Sequence, residues 1–362
     1  MQEPTSGSNN KSTPSAGSQA LADAPSFADV LDAAQRLRGK AVVTPLLESP
    51  ALNALVGGRL LIKAEVLQRT GAFKIRGAYN SLSRLQPQAH QCGVVACSSG
   101  NHAQGVAAAA QILGMPALIV MPSDAPAIKL ANTRSYGADV HLYDRYRDNR
   151  EAIAERLATE RHAVLDQTFE DPKVIAGQGT VGLEIAEQAQ SQRAALDAVL
   201  VPCGGGGLIS GCAIALAERS PGTAVFAVEP EGFDDTARSL AAGRRVRNDD
   251  EARSMCDALL VPTPGALPFS INRRLLAGGL VVSDAEVASA MALAFRHLKL
   301  VVEPGGAVAL AAALSGRYDC HGRIVAVVCS GGNVDPDAFC RALRQAGTTA
   351  DSNSHRSAGE KS

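Results

Sequence analysis

Short, uninterrupted apolar runs alternate along this chain with longer stretches whose apolar residues recur at helical spacing. The runs predict strands over 60–64, 94–97, 117–121, 140–142, 198–202, 224–228 and 324–329. The helical stretches are 75–85, 103–113, 127–136, 149–159, 174–189, 209–219, 284–299 and 307–314. Apolar runs without polar alternation suit strands covered on both faces, the usual condition of parallel sheets. Strands spaced by helices predict βαβ units, and hence an α/β fold of mainly parallel open sheets flanked by helices. Residues 1–25, rich in Ser, Gly, Asn, Pro and Thr, and the similar residues 347–362 are expected to be disordered tails. No repeat of fixed period is evident.

At 362 residues the chain exceeds one ordinary domain, so two lobes are expected. Aromatic residues are 4% and Trp is absent, which leaves Ala, Val, Leu and Ile to fill the cores. A formal net charge of −1 offers no electrostatic footprint for nucleic acid or an anionic membrane. No apolar run reaches the ~18 residues that a membrane helix needs. The start of the chain lacks the apolar segment of a signal peptide, and its first Arg is Arg36, so no leader is predicted. The eight Cys form no Cys-x-x-Cys pair, and several lie in apolar runs, as Cys329 does. Buried reduced thiols in a cytoplasmic protein are the expectation.

Parallel sheets bind ligands beyond the carboxyl ends of their strands, and four motifs fall there. Pro202-Cys203-Gly204-Gly205-Gly206-Gly207-Leu208 follows a strand and opens a helix. Its glycines let the backbone approach an anion, and the helix start offers free N–H donors. The spacing fails the dinucleotide fingerprint, because the sixth residue from Gly204 is Ile209 and that from Gly205 is Ser210. Gly211 is followed by Cys212, so it is no Walker A loop, and Leu208 breaks a G-x-S-x-G elbow. A small phosphorylated cofactor therefore suits the turn better than a nucleotide. Gln68-Arg69-Thr70-Gly71-Ala72-Phe73-Lys74-Ile75-Arg76-Gly77-Ala78 places Lys74 between a turn and a helix start, where it is able to form a Schiff base. Cys97-Ser98-Ser99-Gly100-Asn101-His102-Ala103-Gln104-Gly105 offers hydroxyls, an amide and backbone N–H groups suited to a carboxylate or a phenolate oxygen. Cys329-Ser330-Gly331-Gly332-Asn333-Val334 places a hydroxyl where it can face a ring nitrogen. Each string alone also reads as a turn or a helix cap.

Together, and in this order, these strings resemble the fold-type II pyridoxal-phosphate enzymes. The most similar members are threonine/serine dehydratases, serine racemase and 3-hydroxyaspartate ammonia-lyases. The resemblance runs over about residues 27–345 and includes Val174-Ile175-Ala176-Gly177-Gln178-Gly179-Thr180 and Val302-Glu303-Pro304-Gly305-Gly306-Ala307. It implies a two-domain, tryptophan synthase β-like fold. The large cofactor domain would span 26–94 and 166–346, and a small mobile domain 95–165. It implies pyridoxal 5'-phosphate joined to Lys74, with Phe73 beside it. Asn101 would hydrogen-bond the pyridine 3-hydroxyl oxygen. Gly204, Gly205, Gly206, Gly207 and the Leu208 backbone would cradle the phosphate. Ser330 would meet the ring nitrogen and leave it largely unprotonated, which suits elimination over transamination. Ser98, Asn101 and His102 would hold the substrate α-carboxylate. Freed Lys74 would remove the α-proton, and the β-hydroxyl would leave to give a 2-keto acid and ammonia. The small domain would close to exclude water.

The leading expectation is thus a threonine/serine dehydratase, a carbon–oxygen lyase of ammonia-lyase type. The alternatives are a serine racemase or a 3-hydroxyaspartate- or phenylserine-type dehydratase. The chain ends soon after the similarity does, leaving no room for a regulatory domain, which suggests amino-acid catabolism. Ser99 aligns with the racemase serine that acts on the face opposite the lysine. Arg150 aligns with an arginine that receives a distal carboxylate in hydroxyaspartate-cleaving relatives, although Arg145 and Arg147 lie close by on a face that solvent could equally claim. Glu229, the Phe233 carbonyl and Asp235 resemble a family site for Mg²⁺ or Ca²⁺. Ala72 replaces the more usual Ser, and Asp257-Ala258 stands where Asp-Gly is usual, so the pocket near the ring is expected to differ. A homodimer is expected from the family. From another class, a non-catalytic cofactor-binding regulator would have no need of both Lys74 and the 98–102 loop.

Overall fold

Ile324–Cys329 is apolar throughout, and it lies inside the larger of two sheets. The computed structural model describes residues 24–98 and 100–346. The expectations for the two tails up to residue 23 and from residue 347, and for Ser99, fall outside the described residues.

Strands in chain order are β1 (Leu46–Glu48), β2 (Arg59–Ala64), β3 (Val94–Cys97), β4 (Ala117–Pro122), β5 (Asp139–Tyr143), β6 (Val164–Leu165), β7 (Ala198–Pro202), β8 (Ala224–Pro230), β9 (Gly278–Val282) and β10 (Ile324–Cys329). Six form a sheet in the order β1-β2-β10-β7-β8-β9, parallel except for the β1–β2 pair. The other four form a parallel sheet in the order β5-β4-β3-β6. The α/β class and the mainly parallel sheets read from the sequence are therefore present.

Helices cover both sheets. Asp284–Leu293 and Pro304–Leu314 pack one face of the larger sheet, and Pro172–Ser191 and Gly207–Arg219 pack the other. Asn101–Leu113 lies on the smaller sheet. The string around Gly177 is a packing device: its helix presses against two neighbours at backbone distance. A Cβ at Gly177 would lie 2.6 Å from the Arg76 carbonyl oxygen, and one at Gly182 would lie 2.7 Å from the Cys212 Cα. Side chains there would push apart the helices that begin at the two cofactor motifs.

Differences from the sequence reading have local causes. β1 and β6 are only 3 and 2 residues long, and β9 opens with Gly278 and Gly279, so none shows as an apolar run. Phe27–Leu37 is a further helix, and Ser26 and Asp29 form a reciprocal capping box at its start. The helix expected over 284–299 ends at Leu293 and relaxes into a wider turn, Ala294–Leu298, before Lys299 adopts φ 60°.

A buried charge network fastens the Lys74 helix, Ile75–Leu82, to this body. Arg76 donates to both carboxylate oxygens of Glu65 at 2.8 Å and to Glu184 at 2.6 and 2.9 Å. Lys63 adds a bond of 2.6 Å to Glu184. Burial alone would raise the Glu65 carboxyl, but Arg76 and Lys63 outweigh it and hold it below its ordinary value. Arg76→Met should destabilise the fold by about 3–5 kcal/mol, since it leaves a buried carboxylate unpaired. Urea unfolding would measure this, and a loss under about 1 kcal/mol would show the network to be dispensable.

Candidate active site

The loops that follow β2, β10 and β7 leave from three adjacent strands and lie together. They carry Lys74, Ser330 and the glycine turn 203–207. The loop that follows β3 of the smaller sheet faces them with Ser98, Asn101 and His102. The carboxyl ends of both sheets thus border one cavity of about 210 Å³. Phe73, Lys74, Ser98, Asn101, His102, Arg150, the four glycines, Leu208 and Ser330 all line it. Glu229, Phe233 and Asp235 do not.

Backbone pairing sets Lys74 against Ser330. The Phe73 N–H donates to the Ser330 carbonyl at 3.1 Å, and Ala72 and Gly331 form an antiparallel bridge. Lys74 itself precedes the first turn of its helix. Gly105 lets the helix Asn101–Leu113 approach this point, since a Cβ there would lie 3.0 Å from the Lys74 backbone. Burial lowers the Lys74 amine to about 8, against the pull of Asp166 and Glu303, which favour the charged form.

The glycine turn opens the helix Gly207–Arg219, and Gly206 sits at φ 96°, where a side chain would be strained. A Cβ at Gly205 would lie 2.5 Å from the Phe169 ring. The result is a bare backbone cup at a helix N-terminus, a setting for phosphate. Asn101 is more committed than its sequence suggested. Its Nδ2 donates to Glu303, and its Oδ1 accepts from Asn333 Nδ2 at 2.9 Å. One Nδ2 hydrogen remains for a ligand oxygen. His102 Nε2 pairs with Asp166, which follows β6, and both side chains are buried.

Arg150 opens the helix Arg150–Arg161 at the cavity mouth; its side chain is 55% exposed and donates to Glu151 at 2.7 Å. Arg145 and Arg147 pair instead with Asp124 and Asp144. Neither lines the main cavity, so Arg150 is the arginine of the three placed to meet a ligand.

Away from the cavity, Glu229 caps the helix Asp235–Ala242, accepting from the N–H groups of Thr236 at 2.9 Å and Ala237 at 2.8 Å. Asp235 lies beside it, with Oδ1 bonded to Asn248 at 2.6 Å and Oδ2 buried without a partner. Burial, then the neighbouring Asp235, raises Glu229 to about 8, and burial raises Asp235 to about 6. No three His, Cys, Asp or Glu side chains converge as a metal site among the described residues. Two buried carboxylates, one with an unpartnered oxygen, nevertheless have the donor chemistry of a hard cation site.

Three residues escaped the sequence reading: Asp166, Lys129 and Phe169. No motif marks them, because each enters the site from a segment packed against a motif rather than from one.

A seam between two parallel sheets that holds a buried lysine, a bare anion-binding turn and a polar loop defines an enzyme that carries a small phosphorylated aldehyde on a lysine. The chain belongs to the pyridoxal-phosphate dependent enzyme family, whose match covers residues 38–330. It is 44% identical to an L-threo-3-hydroxyaspartate ammonia-lyase of Pseudomonas sp, over 88% of this chain and 98% of that one. Its fold matches maize serine racemase with a TM-score of 0.83 at 38% identity, over 89% of this chain and 98% of that one. It matches a T.th. threonine deaminase with a TM-score of 0.81 at 46% identity, over 86% and 99%. Those relatives fit the fold-type II architecture described above.

Lys74 should capture added pyridoxal phosphate with a pH midpoint near 8, because only the neutral amine attacks an aldehyde. Asp166→Asn removes a charge that stabilises the ammonium, so the midpoint should move to lower pH. The visible absorption of the bound cofactor, followed against pH in the apoprotein, reads both; Lys74→Ala should show no such band. An unchanged midpoint in Asp166→Asn would remove Asp166 from the site's electrostatics.

Proposed function

We propose that this enzyme deaminates a small β-hydroxy amino acid in the manner of a threonine/serine dehydratase: water is eliminated across the α- and β-carbons, and water is taken up again when the released enamine hydrolyses to a 2-keto acid and ammonia. The observation that carries this reading is the placement of Lys74 between a phosphate-type cup and a loop suited to a carboxylate. Pyridoxal phosphate, when bound, supplies an electron sink for charge developing at the α-carbon. The glycine turn from Gly204 to Gly207 and the Leu208 backbone would hold its phosphate, Ser330 its ring nitrogen, and Asn101 its hydroxyl oxygen, with Phe73 alongside.

Everything else falls to the chain. Ser98, His102 and the backbone N–H of Asn101 bind and orient the substrate α-carboxylate, which leaves the Asn101 side chain to the cofactor. Lys74 takes the α-proton; an amine lowered to about 8 is partly neutral at physiological pH and so able to act as a base. From its place in the sequence, Ser99 is assigned the acid/base role on the face opposite Lys74. The unit 95–165 is assigned as the small mobile domain, which excludes water when it closes over the larger body.

Arg150 widens the substrate range to dicarboxylates. Its guanidinium pairs with Glu151 at an exposed position, an interaction worth little, so a substrate's distal carboxylate can displace it. The same reading assigns Mg²⁺ or Ca²⁺ to Glu229, the Phe233 carbonyl and Asp235, and takes the enzyme to be a cytoplasmic homodimer. Among the described residues no helix is long and apolar enough to cross a membrane, and the cysteines are unpaired.

Steady-state turnover of L-threonine, L-serine, L-threo-3-hydroxyaspartate and phenylserine tests the function, with keto-acid formation expected from at least one of them. Holoprotein that releases no keto acid from any would overturn it. Arg150→Ala should lower kcat/KM for 3-hydroxyaspartate by about 10- to 100-fold, the loss of one charged hydrogen bond, and spare L-threonine. Equal loss on both would reject the distal-carboxylate role. For the cation, millimolar Mg²⁺ or Ca²⁺ should raise the melting temperature of the wild-type protein but not of Asp235→Asn. A response shared by both would place the ion elsewhere.

A further inference from the structure

A second lysine borders the cavity, and nothing in the reaction proposed above uses it. Lys129 belongs to the helix Ala127–Ser135, which follows β4 of the smaller sheet. It is 1% exposed. Its Nζ lies 2.6 Å from Asp257 Oδ2 and 3.5 Å from Glu303 Oε2, and both carboxylates belong to the larger body. Glu303 also accepts from Asn101, so two residues from the smaller sheet's side meet on one buried carboxylate. The end of the lysine side chain also lies close to Gly100 of the 98–102 loop. A Cβ at Gly100 would lie 3.7 Å from Lys129 Nζ and 3.8 Å from its Cδ.

A buried ammonium is tolerated only while its partners remain in place, because its desolvation costs several kcal/mol. Separating the two sheets would part Nζ from Asp257 and Glu303 together and return the ammonium to water. Such a pair has two favourable arrangements, joined and dry or parted and hydrated, and few between. The joined one also places Lys129 beneath Gly100, in the middle of the loop assigned to the α-carboxylate.

We propose that Lys129, paired with Asp257 and Glu303, is the latch that fastens the smaller sheet over the cavity and thereby seats the 98–102 loop for the substrate α-carboxylate. Lys129 is a positioning residue: it acts through the loop and touches no reacting atom. The proposal deepens the function given above, since it rests on that loop receiving the carboxylate. Asp257 suits the part because its side chain is 47% exposed and can rehydrate on opening, whereas Glu303 is enclosed on either account.

The test uses holoenzyme with Lys129→Met, Lys129→Arg and Asp257→Asn. Lys129→Met should raise KM for the preferred amino acid by about tenfold or more, with a smaller change in kcat, because loss of seating weakens binding before chemistry. Hydrogen exchange across residues 98–135 should slow when substrate is added to the wild type, and this protection should be lost in Lys129→Met. Lys129→Arg should restore most of it. Asp257→Asn should show the same effects more weakly, since Glu303 still faces the ammonium, and it decides the matter if Lys129→Met does not fold. The absorption band of the bound cofactor should persist in all three. KM within about twofold of wild type, or unaltered protection in Lys129→Met and Asp257→Asn, would overturn the latch. A wild-type protein that shows no cofactor band would overturn the functional reading instead. The latch would then be judged on apoprotein, where Lys129→Met should speed exchange across 98–135 and unchanged exchange would reject it.

Discussion

An amine held in a dry seam must be neutral, or it must be surrounded by carboxylates. Both solutions occur here, a short distance apart. Lys74 is pushed toward neutrality by burial, and Asp166 and Glu303 oppose that push only in part. For Lys129 the balance tips the other way: burial would lower it, but Glu303 and Asp257 raise it above its ordinary value. One lysine is thereby shifted toward its neutral form, while the other is held in its charged form. The difference lies in the carboxylates. Lys129 has one at 2.6 Å, whereas Lys74 hydrogen-bonds to none among the described residues. Glu303 serves both lysines, and burial raises its own carboxyl despite Lys129, so its charge depends on the seam staying assembled.

Parallel strands make this arrangement natural. Each βαβ unit delivers its loop to the same end of a sheet, and two such sheets facing end to end enclose polar loops between them. The motif glycines serve this geometry in different ways. Gly205 and Gly206 leave the cup bare for an anion, whereas Gly177 and Gly182 draw helices together so that the cup and the Lys74 turn share one wall. The Arg76 network then holds that wall to the sheet. A bare glycine turn on a loosely packed helix would be an equally good sequence match and a poor phosphate site.

Much of this was legible in the sequence, because the site is built from loops that follow strands. Apolar runs located the strands, and the residues just past them included Lys74, Ser98, Asn101, His102, the four glycines and Ser330. The roles came from the resemblance, since spacing alone left each string as a turn or a cap. What spacing could not show was pairing across the seam. Asp166 follows a strand of 2 residues that carries no pattern, and Lys129 reads as an ordinary helix lysine until its partners, 128 and 174 positions away, are brought to it. The commitment of Asn101 to Glu303 and Asn333 was hidden for the same reason. Arg150 was legible as a candidate among three arginines, and its place on the lining of the main cavity, where Arg145 and Arg147 are missing, is what singles it out.

The departure from the family at Asp257-Ala258, where Asp-Gly is usual, falls on the cavity wall. The short turn Asp257–Leu259 lines the cavity along with Leu260 and Val261. Ala258 stands where glycine is usual, and a Cβ on Gly305 would lie only 3.1 Å from its methyl group, so that methyl already occupies the gap between the two segments. The same turn presents Asp257 to Lys129. Substitution here therefore acts on two things at once: the shape of the cavity wall and the carboxylate offered to Lys129. This one turn thus joins the cavity wall to the partner of the buried ammonium.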